Sequence, residues 1–399
     1  IDWRMISVHE AQELVLQHIL PAQAVSLPVH DALGYVLAQD LIAPADAPAF
    51  NQSAMDGYAI RWEDRGKALP IVGAVAAGDG AEQPLEPGTA RRIFTGGRIP
   101  EGADTVVIQE HTTNKENVLY IDSPLLQRGA NIRLKGSQIQ AGAVALQRGS
   151  ILTAAGIGFI AAMGMTEIAV FKHPRIGIIV TGSELVTPGT PLTRGGTYES
   201  NSVMLMAALR EIGFTASVVR RIADEQALTL AAMQEMAESC DVVLLTGGVS
   251  VGDHDHVAGS KSHPDFTTIF HKVKQKPGKP FLFGKYGHTP LFGLPGNPAS
   301  VLTCFYVYVA PFLLQSSGYV SGNLAMGSLL LKDAVQKKAG LTVFLKASSD
   351  GEYADILPQQ ESYILKSYAQ ANCLAVLPEA TTAFAAESEV AVIYLPKRH

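Results

Sequence analysis

The sequence predicts an α/β multidomain fold, in which a doubly wound, mostly parallel sheet domain is accompanied by two small β-rich domains. Three observations carry that expectation. The chain has 399 residues, and at about 150 residues per domain it divides into two to four domains. Beyond Pro174, strand-like runs that are apolar throughout alternate with helical patterns, as parallel strands buried on both faces do. On either side of that stretch, short apolar runs are broken by Gly, Pro and Asp, the pattern of small sheets with tight turns.

With 47% hydrophobic and 17% charged residues, the chain can bury real cores and is too apolar to remain disordered. Its 31 Lys+Arg against 37 Asp+Glu leave a formal charge of −6. No overall basic field is available for nucleic acid or an anionic membrane, so neither is an expected partner. The mean hydropathy of +0.16 raises the question of a membrane span. The two most apolar stretches, residues 151–165 and 301–314, fall short of the roughly 18 to 20 residues a span needs, and both are expected to be buried helices. Ile1-Asp2-Trp3-Arg4 shows no secretory pattern. Cys240, Cys304 and Cys373 are far apart and set in apolar runs. They read as core thiols of a cytoplasmic protein.

Residues 7–20 place apolar side chains at helical spacing behind a Ser7 cap, with Glu10 three positions on. Residues 44–134 carry short apolar runs at 71–72, 91–93, 105–108 and 118–121, a small β-rich domain. In residues 138–171 a run from Gly156 to Ala161 satisfies G-x-G-x-x-A. No clean strand leads into it and no acid stands about 20 positions on, so a Thr153-capped, tightly packed helix is expected in place of a dinucleotide loop. Then come an apolar strand at 175–180, an amphipathic helix at 202–212, an alternating strand at 215–220, a second helix at 225–239 and an apolar strand at 241–245. Apolar runs at 281–283 and 290–292 precede a helix over 298–314, and residues 321–395 return to short strands and turns.

In open α/β sheets, ligands sit beyond the carboxyl ends of the parallel strands. Two polar loops occupy that position, Thr181-Gly182-Ser183-Glu184-Leu185 and the loop running from Thr246-Gly247-Gly248 through Ser250 to Asp253-His254-Asp255. Glycines there let backbone N–H groups approach an anion. Tight turns alone would explain the glycines but not the arrival of Glu184, Asp253 and Asp255 at one edge. Such carboxylates repel unless a cation neutralises them, and an all-oxygen set suits Mg²⁺ better than zinc. His254 and His256, two residues apart with no Cys nearby, make a poor zinc pair. Asp224 stands at a strand-to-helix junction, where a helix cap is the simple reading.

Lys272, Lys274, Lys276 and Lys279 cluster around Pro277-Gly278, the densest positive patch in the chain. A dozen residues later, Gly293-Leu294-Pro295-Gly296-Asn297-Pro298 ends a strand and opens a helix, with Asn297 as N-cap and Pro298 at N1. A helix N-terminus is a ready seat for an oxyanion. Together these residues predict a metal-plus-phosphate site, and no P-loop pattern is present.

Six motifs in order resemble the MoeA and gephyrin E-domain family: Ser53-Ala54-Met55-Asp56-Gly57-Tyr58-Ala59, residues 92–110 with Thr95-Gly96-Gly97, the Thr181 and Thr246 loops, Lys276-Pro277-Gly278-Lys279-Pro280, and the segment 293–298. Residues 360–372 with Leu377-Pro378-Glu379 also fit. The resemblance implies a molybdopterin-binding α/β domain at 173–318, a small β-rich domain at 46–137, a C-terminal β domain at 319–399 and a linking and dimerisation domain formed by 1–45 with 138–172. It implies a homodimer whose active site lies between two subunits. It also implies conversion of adenylylated molybdopterin and molybdate to the molybdenum cofactor with release of AMP and with Mg²⁺ as cofactor, and contact with molybdopterin adenylyltransferase and apo-molybdoenzymes.

By position, the resemblance places Glu184, Asp224, Asp253 and Asp255 around the metal and Asp56 and Thr95 as catalytic groups reaching in from the partner subunit. Thr181, Gly182, Ser183, Gly247, Gly248, Ser250, Lys272, Lys276, Lys279, Pro295, Asn297 and Pro298 would bind substrate. Molybdate is an oxyanion, so lysines, N–H groups and hydroxyls must hold it while the acids serve the metal. Departures from the family pattern include Gly136-Ser137-Gln138-Ile139, which lacks two usual carboxylates, and Glu361 in place of a small residue. Gln138 is therefore kept out of the site. The alternatives are a molybdopterin adenylyltransferase, which resembles the α/β domain alone, and a non-catalytic molybdopterin-binding scaffold.

Overall fold

The structure is a computed structural model and describes residues 4–79, 83–248 and 263–396. The chain divides into two compact units, residues 1–25, 34–38 and 169–399 forming one, and residues 26–33 and 39–168 the other.

The first unit is organised around a six-stranded sheet. Its strands are β1 (Ile176–Thr181), β2 (Ala216–Ile222), β3 (Val242–Thr246), β4 (Phe266–His271), β5 (Leu282–Tyr286) and β6 (Thr289–Leu294), in the spatial order β2-β1-β3-β6-β5-β4. The first four positions are parallel, with Ile176 opposite Val242 and Thr246 opposite Leu294, whereas β5 runs antiparallel to β6 and β4. Every residue of β1 and β3 is buried, so the alternation of side chains sends them into two separate cores. Ile176, Ile178 and Val180 join Leu205 and Leu209 of the helix Asn201–Glu211 on one face, while Ile179 joins Met233 and Met236 of the helix Gln226–Ser239 on the other. The expected doubly wound, mostly parallel sheet is thus present.

The N-terminal helix Val8–Leu16 starts where expected: Ser7 Oγ accepts the Glu10 N–H at 3.1 Å. It sets Ala11 and Val15 into the first of these cores. The helical segment Pro298–Ser316 has 19 residues and so is longer than expected, enough to span a membrane by length and composition, but it is mostly buried within this chain, which makes it the core helix expected over residues 298–314. A turn of π-helix occupies Phe305–Val309. Pro311 has no N–H to offer the carbonyl four residues back. That carbonyl, Val307 O, accepts from Gln12 Nε2 at 3.4 Å.

The tail forms a closed barrel of β7 (Met326–Leu331), β8 (Thr342–Ser349), β9 (Tyr353–Ile356), β10 (Cys373–Leu377) and β11 (Glu389–Tyr394), paired in the cycle β8-β9-β7-β11-β10-β8. Closure pairs every strand on both sides over part of its length, and the start of β8 takes a further partner. Gln275 and Lys276 pair in parallel with Thr342 and Val343. All three cysteines are buried and none forms a disulfide, as the sequence led us to expect.

In the second unit, the strands Gly57–Ile60, Leu69–Val75, Ala90–Ile93, Thr105–Ile108, Thr112–Lys115 and Val118–Ile121 form one mixed sheet. The helix Ala154–Ala162 carries the expected cap, Thr153 Oγ1 accepting from Gly156 N at 3.2 Å. It is not tightly packed, and residues 151–165 are not a buried helix as expected. Only Ile160 of this helix is buried, and Ala154, Ala155, Gly158, Ala161 and Ala162 are exposed. Apolar composition predicts burial only when something in the same chain lies over it.

Candidate functional site

The carboxyl ends of β1, β2, β3 and β6 deliver Thr181-Gly182-Ser183-Glu184, Asp224, Gly247-Gly248 and Pro295-Gly296-Asn297 to one edge of the sheet. From β1 the chain winds to β2 on one side and then to β3 on the other, so the switch point lies between β1 and β3. A cleft of about 620 Å³ opens there and extends toward the barrel. Gly247, at φ +86°, lies so close to β1 that an added Cβ would sit 2.2 Å from Thr181 O. Thr181 Oγ1 donates to Asp224 Oδ1 at 3.2 Å, and the Asp224 N–H donates to Ser183 Oγ at 3.2 Å. Asn201 Nδ2 donates to Thr246 Oγ1 at 3.0 Å and to Gly296 O at 2.8 Å, tying the β3 and β6 exits together.

The lysine arm is fixed from beneath. Gln275 is fully buried. Its Nε2 donates to Pro277 O at 3.0 Å and Gly278 O at 3.3 Å, while its Oε1 accepts from the buried Tyr308 hydroxyl. At Gly278, φ is +90° and an added Cβ would lie 2.6 Å from both Cys304 Sγ and Gln275 Nε2, so only glycine lets the loop lie this close to the core. The arm therefore presents Lys276 and Lys279, both exposed and both lining the cleft. Lys274 is paired with Glu379 at 2.8 Å, and Lys272 is not among the lining residues. Replacing Tyr308 by Phe leaves a buried amide oxygen without a donor, an expected loss of about 1–3 kcal/mol. A thermal-unfolding midpoint equal to that of the parent would show that Gln275 does not need the hydroxyl.

The helix terminus differs from the expected anion seat. Pro298 has no N–H, and the Ala299 N–H donates to Ser362 O at 3.0 Å. Asn297 does not cap the helix with its side chain; its Nδ2 donates to Ser362 Oγ at 2.8 Å. The barrel loop that carries Ser362 thus takes up part of the terminus and completes the cleft wall. Pro295 and Asn297 line the cleft, whereas Ser183 and Pro298 are not among its lining residues. Gln275, Ser300, Leu341, Gln360 and Ser362 also line it, and sequence reasoning had assigned none of them to the site, although residues 360–372 fitted the family pattern.

Charge is divided across the sheet. Glu184 and Asp224 leave β1 and β2, whereas Pro295 to Ser300 leave β6 beside the lysine arm. Two strand spacings separate β1 from β6, roughly 10 Å. Among the described residues no three His, Cys, Asp or Glu side chains form a metal-ligating group. Ser250, Asp253, His254, Asp255 and His256 lie outside the described residues. The two carboxylates that do line the cleft, with Thr181 Oγ1 bonded to one of them, are oxygen donors of the kind a hard divalent cation takes.

Asp56 and Thr95 come together in the second unit. Asp56 Oδ1 accepts from both the N–H and the Oγ1 of Thr95, each at 2.7 Å. These bonds, the backbone one foremost, and the nearby Arg92 charge hold the Asp56 carboxyl below its usual range. Any stability that follows is present above the ordinary carboxylate value, about 3.9, and is lost as pH falls through the lower folded value. In Thr95→Val one of the two bonds is gone, and the Asp56 titration midpoint, read by NMR, should rise toward the ordinary value. An unmoved midpoint would mean the hydroxyl contributes nothing.

Three family models match the chain: the MoeA N-terminal region (domain I and II) over residues 6–164, a probable molybdopterin binding domain over 177–315, and the MoeA C-terminal region (domain IV) over 328–395. A Mycobacterium tuberculosis protein named molybdopterin molybdenumtransferase 2 is 34% identical, with 97% of this chain and 99% of the relative covered. A molybdopterin molybdenumtransferase from Haemophilus influenzae is 31% identical, with 94% and 95% covered. A solved structure of a molybdopterin biosynthesis MoeA protein from Pyrococcus horikoshii matches with a TM-score of 0.79 at 28% identity, over 98% of this chain and 100% of that one.

Proposed function

The chain belongs to the MoeA family, and from that premise we propose that it is a molybdopterin molybdenumtransferase, joining molybdate to adenylylated molybdopterin and releasing AMP. The observation that carries the reading is the divided cleft, with Glu184 and Asp224 on one flank and Lys276 and Lys279 on the other. An adenylylated substrate has a pyrophosphate linkage, and its cleavage needs the phosphoryl charge offset. A Mg²⁺ ion held by Glu184 and Asp224, with Asp253 and Asp255 as its further expected ligands, would supply that charge and polarise the phosphoryl oxygens.

This chain's own residues do the rest. The Thr181 and Ser183 hydroxyls hold Asp224 in place. Gly247 and Gly248 keep the floor between β1 and β3 low enough for a phosphate to approach the backbone. Molybdate belongs on the far flank, where Lys276, Lys279, Ser300 and Ser362 offer charge and hydroxyls away from the acids. Two separated flanks suit a substrate that presents its phosphates at one end of the cleft and its metal-accepting sulfurs at the other.

A homodimer is part of the same reading. The bare apolar helix Ala154–Ala162 is suited to burial against a second copy, and the resemblance gives Asp56 and Thr95 the role of completing the partner's site. An adenylyltransferase would supply the substrate in the cytoplasm, and apo-molybdoenzymes would take the product. Purified protein given adenylylated molybdopterin, Mg²⁺ and molybdate should release AMP in step with molybdate added. Folded protein that releases none would refute the assignment. Consumption of ATP with unmodified molybdopterin would point to the adenylyltransferase instead.

A further inference from the structure

Lys346 lies on β8 with 3% of its surface exposed. Lysines are almost never buried this far unless they are paired. Its partners are not carboxylates: the ammonium donates to Gln359 O at 2.8 Å, Ile364 O at 3.2 Å and Glu361 O at 3.4 Å. Burial draws the ammonium below its ordinary value, partly countered by the Glu361 charge. All three carbonyls belong to the loop that brings Gln360 and Ser362 to the cleft. Gln360 reinforces the clasp, its Oε1 accepting from Lys346 N at 3.0 Å and its Nε2 donating to Lys346 O at 2.9 Å and Leu357 O at 2.6 Å.

We propose that Lys346 is a positioning residue for the oxyanion substrate: by gathering three carbonyls of the 359–364 loop it sets where the Ser362 hydroxyl stands opposite the lysine arm. The loop is held from two directions, by Lys346 on the barrel side and by Asn297 and Ala299 on the sheet side. Because Ser362 Oγ accepts from Asn297 Nδ2, its own hydrogen is left to donate to an anion in the cleft. Without the ammonium, three carbonyls lose their common donor; the Gln360 bonds to the Lys346 backbone, the Ser367 hydroxyl on Gln359 O and the helix end still hold the loop, but nothing draws its 361 and 364 carbonyls together. Glu184 and Asp224, on the other flank, are untouched by such a change.

The inference rests on the reading of the cleft as a molybdenum-inserting site and is tested by separating the two substrates. In Lys346→Met, the KM for molybdate should rise about tenfold or more, since misplacement by about 1 Å can cost 10²-fold. The KM for adenylylated molybdopterin, and kcat at saturating molybdate, should stay within about threefold, because neither the acids nor the β1–β3 floor has moved. Lys346→Arg, which keeps the charge but not the point geometry, should fall between Met and the parent. A Lys346→Met protein that melts lower but keeps the parent's KM for molybdate would overturn the proposal and leave Lys346 a support of the barrel. If Lys346→Met does not fold, Lys346→Arg decides alone: a molybdate KM raised about threefold supports the proposal, and an unchanged KM overturns it. Equilibrium dialysis of molybdate alone separates this inference from the assignment of function. If the parent binds molybdate but releases no AMP, the functional reading fails, and tenfold weaker binding by Lys346→Met still supports the positioning role. Equal binding by the two proteins overturns it.

Discussion

Replacing Asp224 by Asn, or Glu184 by Gln, is expected to slow molybdate-dependent AMP release by roughly 10- to 100-fold at fixed Mg²⁺, as loss of a cation's ligand or its support does in other metal sites. Both changes keep shape and remove charge. Asp224 in addition accepts from Thr181 Oγ1 and donates its N–H to Ser183 Oγ; Asn can keep both bonds through its own Oδ1 and backbone N–H, so the substitution removes the charge and the second acceptor oxygen. Raising Mg²⁺ should recover part of the rate if the lost charge is what held the cation. The double variant should fall short of the product of the single effects, because groups acting on one ion are not additive. AMP release at the parent rate in both single variants would show that these acids only shape the β1 and β2 exits. The role would then pass to Asp253 and Asp255.

Gly247→Ala is expected to be the most damaging small change at the site. Its φ of +86° is a conformation that costs a side chain about 1–2 kcal/mol. The added Cβ would meet Thr181 O at 2.2 Å and Thr181 Oγ1 at 2.7 Å, and overpacking against backbone costs typically about 1–3 kcal/mol more. The sum, about 2–5 kcal/mol, corresponds to a fall in unfolding midpoint of order 10 °C for a unit of this size. AMP release should fall with it even below the new midpoint, since relief of the clash moves either the β1–β3 floor or the hydroxyl that supports Asp224. A midpoint within about 2 °C of the parent would show that the strand ends yield freely.

What could be read from the sequence, and what could not, follows from how far apart the interacting residues lie. β1 and β3 were legible because a strand buried on both faces must be apolar throughout, and the polar residues directly after them could only be edge loops. Glu184 and Gly247 were named on that basis and Lys276 from the density of lysines around Pro277-Gly278, and all three line the cleft. Gln275, Ser362 and Lys346 were not, because each is an ordinary polar residue whose meaning comes from a partner in another element: Tyr308, Asn297 and the 359–364 loop. The density of lysines suggested one cluster, yet Lys274 is spent on Glu379 and Lys272 stands outside the cleft wall. The terminus at Asn297 had the residues of an anion seat, but it was the barrel's Ser362 carbonyl that took the Ala299 N–H.

The pairing of Gln275–Lys276 with Thr342–Val343 joins segments 67 positions apart (342 less 275). During synthesis the acids at 184 and 224 emerge well before the barrel strand that fastens the lysine arm. Contacts between distant segments are slow to form, and domains tend to fold in order from the N-terminus. A ribosome-bound chain stopped before residue 342 would therefore hold its acidic flank without the fastening of its basic one. The basic flank is then fastened late, once residues 342 and 343 have emerged to pair with the arm.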